Sequence, residues 1–571
     1  MSNIQTRLAL MLVGLSMVLA VACAPAATPA TSDEKVAPGD QPASATTGTE
    51  TPRRGGILVK SNGASSYAGM DPAMGQMSYN WNPQIALYMM KKEPETSQVK
   101  GDAIESWEFS KDGKELTLHL RKGLKFFDKP PVNGREVEAK DIIYSLKSMS
   151  GELYPELSQL RFPRKAEVEA MSSAVAVDKY TVKITLSHVD PYFPDALAEY
   201  RSAIVLPEGI REAFGGVEAL TVPSVDRFIY GGPFIPTKFN QLTEIQYTRN
   251  PNYWKQGQPY LDGIHEIWIP DSSTEKAAFI AGQIDFIATA GESDKAFVLK
   301  GKPGTRIQLR PASSWSRIMM NVKKKPFDDV RVRQAIALVV NPVEIGQTLA
   351  GDWEGKPLWK LPGPIPWVFP EALSQEELAK MPQYEHPKSQ ATIDKARQLL
   401  KEAGYEKGFE FEMMGSASIR DYGVIAQAQI EKALPGVKIT IRPQDNAINL
   451  NRAAKGDYEA QAYPPIHQSN GLSQIATFYH SKGGRNQSNF SDSKMDKLIE
   501  DAGAELDSAK RTALLNEAQL YAIEMAPYVP IWHYSTSLAL QPWLRGLRLG
   551  GAVGNHMSWA EDIWFTSTPK R

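Results

Sequence analysis

The sequence predicts an α/β fold divided into two lobes. The first support is local order. Ile267–Asp271, Ser272–Ala281 and Ile284–Phe286 read as strand, helix and strand, the length of a βαβ unit in a parallel sheet. The second is that this pattern restarts after Pro303, where Ile307 and Leu309 open a new strand. The third is composition: 571 residues, 42% of them hydrophobic, with 42 Gly and 40 Pro, describe a globular body rich in turns. That length accommodates two to four domains.

In chain order, Gly55–Lys60 is the first strand, broken at Asn62-Gly63. Tyr79–Met90 reads as a helix with Trp81 near its start. Ala103–Phe109 is a strand with Trp107 in the core, and Ser110–Gly113 is a tight turn because Gly accepts positive φ. Leu116, Leu118 and Leu120 alternate with polar neighbours, so one face of that strand is buried. Ile142, Ile143 and Leu146 form the apolar face of a helix. Val175–Val177 and Tyr180–Leu186 pair around Asp178-Lys179.

In the second lobe Phe327-Asp328-Asp329 caps a helix carrying Val332, Ala335, Ile336 and Val339, with Asp at its N-terminus. Ile393, Ala396, Leu399, Leu400 and Ala403 line another, ended by Gly404. Strands at Phe409–Met413 and Val437–Ile441 flank a helix at Val424–Leu434, and Tyr458–Ala462 is a further strand. Met495, Leu498, Ile499 and Ala502 line one late helix; Leu514, Ala518, Tyr521 and Met525 line the next. Trp543–Leu549 returns as a strand to the first lobe.

A formal net charge of −1 and the lack of a basic run argue against a nucleic-acid binder. The single Cys, Cys23, rules out a disulfide framework within the chain and a Cys-based metal cluster or catalytic thiol in the folded body. It stands after an apolar run, Leu8–Ala22, with one basic residue, Arg7, before that run. Small residues before a Cys resemble a bacterial lipoprotein signal, although Leu19 lies one position earlier than the usual pattern. The resemblance implies a signal peptide over 1–22, cleavage before Cys23 and lipidation of its sulfur; the alternative is an ordinary signal peptide cut near Ala24–Ala27. Residues 24–52 are Ala, Pro, Thr, Ser and Gly with few large apolar side chains, the composition of a disordered tether. Fully extended, about 30 residues reach on the order of 100 Å.

Several stretches closely resemble one family. They are Glu105-Ser106-Trp107, Leu118–Phe126, Ala139–Leu146, Gly231–Phe234, Thr248–Trp254, Pro259–Ile264, Phe327–Ile336 and Ala526–Trp532. In this order they resemble the solute-binding proteins of ABC importers in the peptide/oligopeptide/nickel family (family 5). The resemblance implies a two-lobe periplasmic-binding-protein-like fold, type II and cluster C-like, with a hinged ligand cleft. It implies a first-lobe core from 53–89, 223–308 and 537–571, an accessory subdomain over 90–222, and a second lobe over 309–536. The chain would cross between lobes near Gly304–Pro311 and near His533–Gln541.

A protein of this kind works by hinge closure on a solute and needs no catalytic residue. The sequence holds no Gly-x-Ser-x-Gly elbow, His-Glu-x-x-His or phosphate loop. Ligand contacts are expected from loops at strand ends. The candidates are Asn62, Ser65 and Trp81 in the first lobe. In the second they are Trp315, Ser416, Arg420, Tyr463, His467 and Asn470, with Trp532 and Tyr534 by the second crossing. Peptide-binding members place an Asp-Pro in the loop that here reads His467-Gln468-Ser469-Asn470-Gly471. A buried ammonium without a carboxylate is costly, so the loop favours a neutral polar ligand, or a peptide held by backbone contacts. His467, His480 and His533 match no metal-ligand spacing, and no cofactor is expected. Expected partners are the solute, an ABC permease and ATPase complex, and the membrane through the lipid, with the body a monomer outside the cytoplasm. The alternatives are a sensing or docking lipoprotein without transport, and a hydrolase on the same scaffold.

Overall fold

The computed structural model describes residues 50–569 except 63–81, 155–164, 217–223, 241, 290, 311–314, 354–355, 358, 417–418, 464–467, 534–535 and 550–556. The chain opens with β1 (Ile57–Asn62) and a single helical turn, α1 (Asn82–Ile85). A small hairpin, β2 (Met90–Lys92) and β3 (Val99–Gly101), follows. Next come β4 (Ile104–Phe109), β5 (Glu115–Leu120), helix α2 (Ala139–Ser150), β6 (Met171–Asp178) and β7 (Thr181–Leu186). These strands form an antiparallel sheet in the order β4-β5-β7-β6. At the β4–β5 turn Gly113 has φ +70°, the conformation Asp-Gly was expected to supply. Leu116, Leu118, Val182, Ile184, Ile142 and Leu146 share a core of their own under this sheet.

After the short helices α3 (Phe193–Ala196) and α4 (Ile210–Ala213), strands β8 (Phe234–Asn240), β9 (Glu244–Arg249) and β10 (Gly263–Trp268) join β1. The order is β1-β10-β9-β8, and only β1 and β10 run parallel. Helix α5 (Ser272–Ile280), β11 (Phe286–Thr289), α6 (Gly291–Gly301) and β12 (Arg306–Arg310) complete the stretch.

The second lobe is built on β13 (Trp315–Met320), then α7 (Val330–Val339), α8 (Pro342–Ala350), a two-residue-strand hairpin β14 (Asp352–Trp353) and β15 (Lys356–Pro357), α9 (Gln375–Ala379) and α10 (Gln390–Glu402). It continues with β16 (Glu410–Gly415), α11 (Ile419–Ala433), β17 (Lys438–Pro443), α12 (Asn446–Ala454) and β18 (Ala460–Tyr463). Helices α13 (Gly471–Tyr479), α14 (Ser493–Ala504) and α15 (Ser508–Met525) lead to β19 (Tyr528–His533). The sheet order is β17-β16-β18-β13-β19. Both faces are covered, which is why these strands read as apolar runs. Ile318, Met320, Phe411 and Met413 meet one helical layer; Met319, Met414 and Tyr528 meet the other. At the start of α7 the Asp329 side chain accepts from the Arg331 amide, the expected cap.

From β19 the chain enters β20 (Thr536–Leu540), which lies between β11 and β12 in a three-stranded antiparallel sheet. It ends with β21 (Leu544–Arg545) paired to β22 (Trp564–Phe565).

Five expectations are corrected. Tyr79–Trp81 lie outside the described residues, and only Asn82–Ile85 of that stretch is helical. The amides of Met89 and Met90 bond to the carbonyls of Ala203 and Leu197, so tertiary pairing draws out the chain. The βαβ unit does not form one sheet: β10 pairs parallel with β1, while β11 pairs antiparallel with β20. Asp285 explains the switch, because its amide and carboxylate bind the Val59 carbonyl and amide at 2.8 and 2.7 Å before the chain turns to β20. Trp107 is only half-buried, since β4 is an edge strand packed at the margin of its core. The buried stripe of α15 is Leu515, Ala518, Gln519 and Ala522. Tyr521 lies half-buried beside it, its hydroxyl donating to Asp492 at 3.0 Å. The return to the first lobe is β20; of Trp543–Leu549 only Leu544–Arg545 is strand, because Trp543 is tied to Asp285 through its indole N–H at 2.8 Å.

The C-terminal segment is anchored by buried charge. Glu561 is fully buried, with Lys91 Nζ at 3.0 Å, Lys255 Nζ at 2.6 Å and the Tyr253 hydroxyl at 3.2 Å. Lys91, Lys255 and Arg548 stack on the Trp559 ring at 5.0, 4.8 and 4.8 Å. Burial pushes the Glu561 carboxyl up, but Lys91 and Lys255 outweigh it and hold it at about 2. A carboxyl depressed on folding stabilises the native state above its unfolded value of 4.5, and that contribution is lost as pH falls from 4.5 towards 2. Glu561→Gln is expected to cost about 3 kcal/mol at neutral pH, because the buried Lys91 is left with only Asp102, at 3.8 Å, to balance it and the partly exposed Lys255 loses its partner. Urea unfolding of both proteins between pH 7 and pH 3 should show the difference narrowing with acid.

Candidate functional site

Two crossings side by side join the lobes. Strand β12 pairs with β20 as far as Arg310 opposite Thr536, and β13 pairs with β19 from Trp315 opposite His533. The connections, 311–314 and 534–535, therefore leave adjacent strands at the same level. Two neighbouring connections are the kind of joint that bends by changing few dihedrals.

The same level is one edge of the five-stranded sheet. β16, β17, β18 and β19 end there, at Gly415, Pro443, Tyr463 and His533, and β13 begins there at Trp315. The sequence segments starting at Ser416, Tyr463 and the two crossings are thus brought together by register. In the first lobe β1 ends at Asn62, whose amide donates to Glu266. Glu266 also takes Lys60 Nζ at 3.1 Å and Gln84 Nε2 at 3.3 Å, all three side chains being buried. A buried carboxylate shared by a cation and two amides fixes their orientations.

The predicted contacts fall as follows. Ser65, Trp81, His467 and Tyr534 lie outside the described residues, as do the side chains of Trp315, Arg420 and Tyr463. Arg420 is in the first turn of α11, and Ser416 is half-buried at the end of β16. Asn470 is the N-cap of α13: its side chain accepts from the Ser473 amide at 2.7 Å, and Ser473 answers as in a capping box. Trp532 is packed into the second-lobe core. His533 is fully buried, and burial lowers its imidazole to about 3, so it is neutral. His480 instead faces Glu500 and Asp496 at 3.3 and 3.9 Å. Among the described residues no three His, Cys, Asp or Glu side chains are grouped as metal ligands, and no helix is long and apolar enough to cross a membrane.

Sequence reasoning missed several buried polar residues near this edge. Arg317, across the ladder from Tyr463, is fully buried with its guanidinium 4.0 Å from the Phe478 ring. Gln461 and Gln474 are fully buried, and among the described residues none of their amide atoms has a hydrogen-bond partner. The available signal was a polar residue at an inward position of an apolar strand: Lys60 in Ile57–Lys60, Glu266 in Gly263–Trp268 and Gln461 in Ala460–Tyr463. Contacts across the cleft flank had no local signal. The Tyr192 hydroxyl donates to Glu371 Oε1 at 2.6 Å, Ser97 Oγ donates to the Val368 carbonyl at 3.0 Å, and Lys92 reaches both Asp195, at 2.6 Å, and the Ser469 carbonyl.

Comparison with known proteins places this geometry. Residues 98–486, more than half of the chain, match the model of the bacterial extracellular solute-binding proteins, family 5. Heme-binding protein A of Haemophilus influenzae is 28% identical over 85% of this chain and 88% of its own. Di/tripeptide-binding protein 1 of Pseudomonas aeruginosa is 26% identical over 85% and 90%. The structure of HbpA2 from Haemophilus parasuis superposes with a TM-score of 0.74 at 22% identity, covering 90% of this chain and all of that one (100%). The chain belongs to the family 5 solute-binding proteins of ABC importers, and its fold is the mixed α/β two-lobe fold of that family.

Asn470→Ala is expected to lower stability by about 1 kcal/mol through loss of the α13 cap, whereas Asn470→Asp, which keeps the acceptor, should stay within a few tenths. Chemical denaturation measures both.

Proposed function

We propose that this family 5 protein is a lipid-anchored receptor on the outer side of the cytoplasmic membrane. It captures a small polar solute between its lobes by hinge closure and hands it to the permease and ATPase subunits of an ABC importer. The observation that carries the reading is the convergence of strand ends and both lobe crossings on one sheet edge. A solute bound there touches both sides of the joint, so its binding free energy can favour the closed form. No bond is made or broken in that cycle.

Within the site, Asn62, Ser65 and Trp81 serve from the first lobe, and Trp315, Ser416, Arg420, Tyr463, His467 and Tyr534 from the second. Asn470 and Trp532 support the site from behind, one as a helix cap and one as core. The relatives are named for heme and for short peptides. In this chain the 463–470 loop offers no carboxylate for a free ammonium, so the ligand is a neutral polar solute or a peptide held through its backbone. Cys23 carries the lipid, and residues 24–52 are the tether that lets the body reach the importer.

Thermal-shift screening of sugars, amide-rich solutes, opine-like compounds, metal chelates and short peptides should find a neutral polar ligand. At 100 times its Kd such a ligand adds about 2.7 kcal/mol of stability. Tight binding of short peptides that disappears when their amino group is acetylated would refute the neutral reading. Cys23→Ser is expected to move the protein from the membrane fraction to the soluble fraction of expressing cells and to remove the lipid mass from its N-terminal peptide. Retention of both would show the anchor to lie elsewhere.

A further inference from the structure

The contacts on the cleft flank join two bodies with separate cores. On one side stand Lys92, Ser97 and Tyr192, next to the core that holds Met90 and Phe193. On the other stand Val368, Glu371, Ser469 and Arg511, around the core that holds Phe369, Ile475 and Leu515. Tyr192 is the centre: its hydroxyl donates to Glu371 Oε1 at 2.6 Å, and the Arg511 guanidinium lies 4.9 Å from its ring. Glu371 is held from its own side by Gln519 Nε2, which donates to its backbone carbonyl at 2.8 Å. Lys92 and Ser97 each donate to a backbone carbonyl across the gap, of Ser469 and Val368. The turn at Gly113 also abuts Leu506. The Tyr192–Glu371 and Ser97–Val368 contacts use none of the candidate ligand residues, so they need no solute; Ser469, in the 463–470 loop, contributes only its backbone carbonyl.

We propose that these side chains are a ligand-independent clasp that sets how often the two lobes are closed in the empty protein. The proposal rests on the capture-by-closure reading above. A clasp of this kind scales the apparent affinity for every ligand by the same factor, the fraction of molecules that are closed. It is also dry: burial pushes the carboxyls of both Glu371 and Asp190 upward, as expected where the flank excludes water.

The test uses the full chain without added solute. Small-angle X-ray scattering gives the radius of gyration of the wild type, Tyr192→Phe, Glu371→Gln and the pair together. Tyr192→Phe removes one hydroxyl and keeps the ring under Arg511, so the fold is retained; near-ultraviolet circular dichroism checks this. In Tyr192→Phe, loss of one buried hydrogen bond is expected to shift the open-to-closed ratio roughly three- to tenfold and so enlarge the particle; Glu371→Gln keeps an acceptor but weakens the bond, and should enlarge it less. Lys497→Gln, on the exposed face of α14, serves as the control and should leave it unchanged. Equal radii for folded wild type and both single variants would overturn the clasp. No ligand enters either arm, so the outcome is independent of whether the solute screen succeeds.

Discussion

Everything that makes this molecule a two-lobed receptor depends on strand β20 being inserted between β11 and β12 directly after β19 has closed the second-lobe sheet. The chain leaves the first lobe on β12 and comes back beside it on β20, so both connections stand next to each other. A single connection would leave the lobes free to swivel; two distant ones would lock them. Two adjacent ones permit bending about one axis. Asp285 secures the arrangement from the first-lobe side by binding β1 at Val59, the Gln541 amide through its own carbonyl at 2.9 Å, and the Trp543 indole.

Buried charge supports the walls on the first-lobe side. Glu561 with Lys91 and Lys255 ties the C-terminal segment beneath the β2 hairpin, whose next residue, Lys92, reaches across to the second lobe. Glu266 with Lys60 holds Asn62 at the end of β1. Such pairs carry a large desolvation cost, and replacing them with apolar residues could be neutral for stability. Their contribution here is orientation: each fixes a polar side chain or backbone segment that borders the cleft. The second-lobe wall is organised differently, by register, since four strands end and a fifth begins at one level.

Much of the fold was legible in local pattern. Alternating Leu116, Leu118 and Leu120, the Asp112-Gly113 turn, the Asp329 cap and the stripe at Met495, Leu498, Ile499 and Ala502 all appear as read. These features depend on neighbours within a few residues. The errors share the opposite cause. Ala86–Met90 has helical spacing but is drawn out by carbonyls more than a hundred residues away, and β11 leaves the expected parallel sheet because β20 arrives from the far end of the chain. Trp107 has the composition of a core residue on a strand whose other edge has no partner strand among the described residues.

The sequence by itself determined the kind of protein: its blocks of family wording, its α/β alternation and the restart after Pro303 follow from residues close together in the chain. It also placed the candidate loops, because strand ends are readable wherever alternation stops. The tertiary structure alone decided which loops share an edge and which candidates are already engaged, as Asn470 is in capping α13 and Trp532 is in the core. It alone brought Tyr192 to Glu371, which are 179 positions apart. The physical reason is the range of the forces: propensity, capping and periodicity act over one or two turns, whereas register, buried ion pairs and contacts between lobes exist only once distant strands have paired.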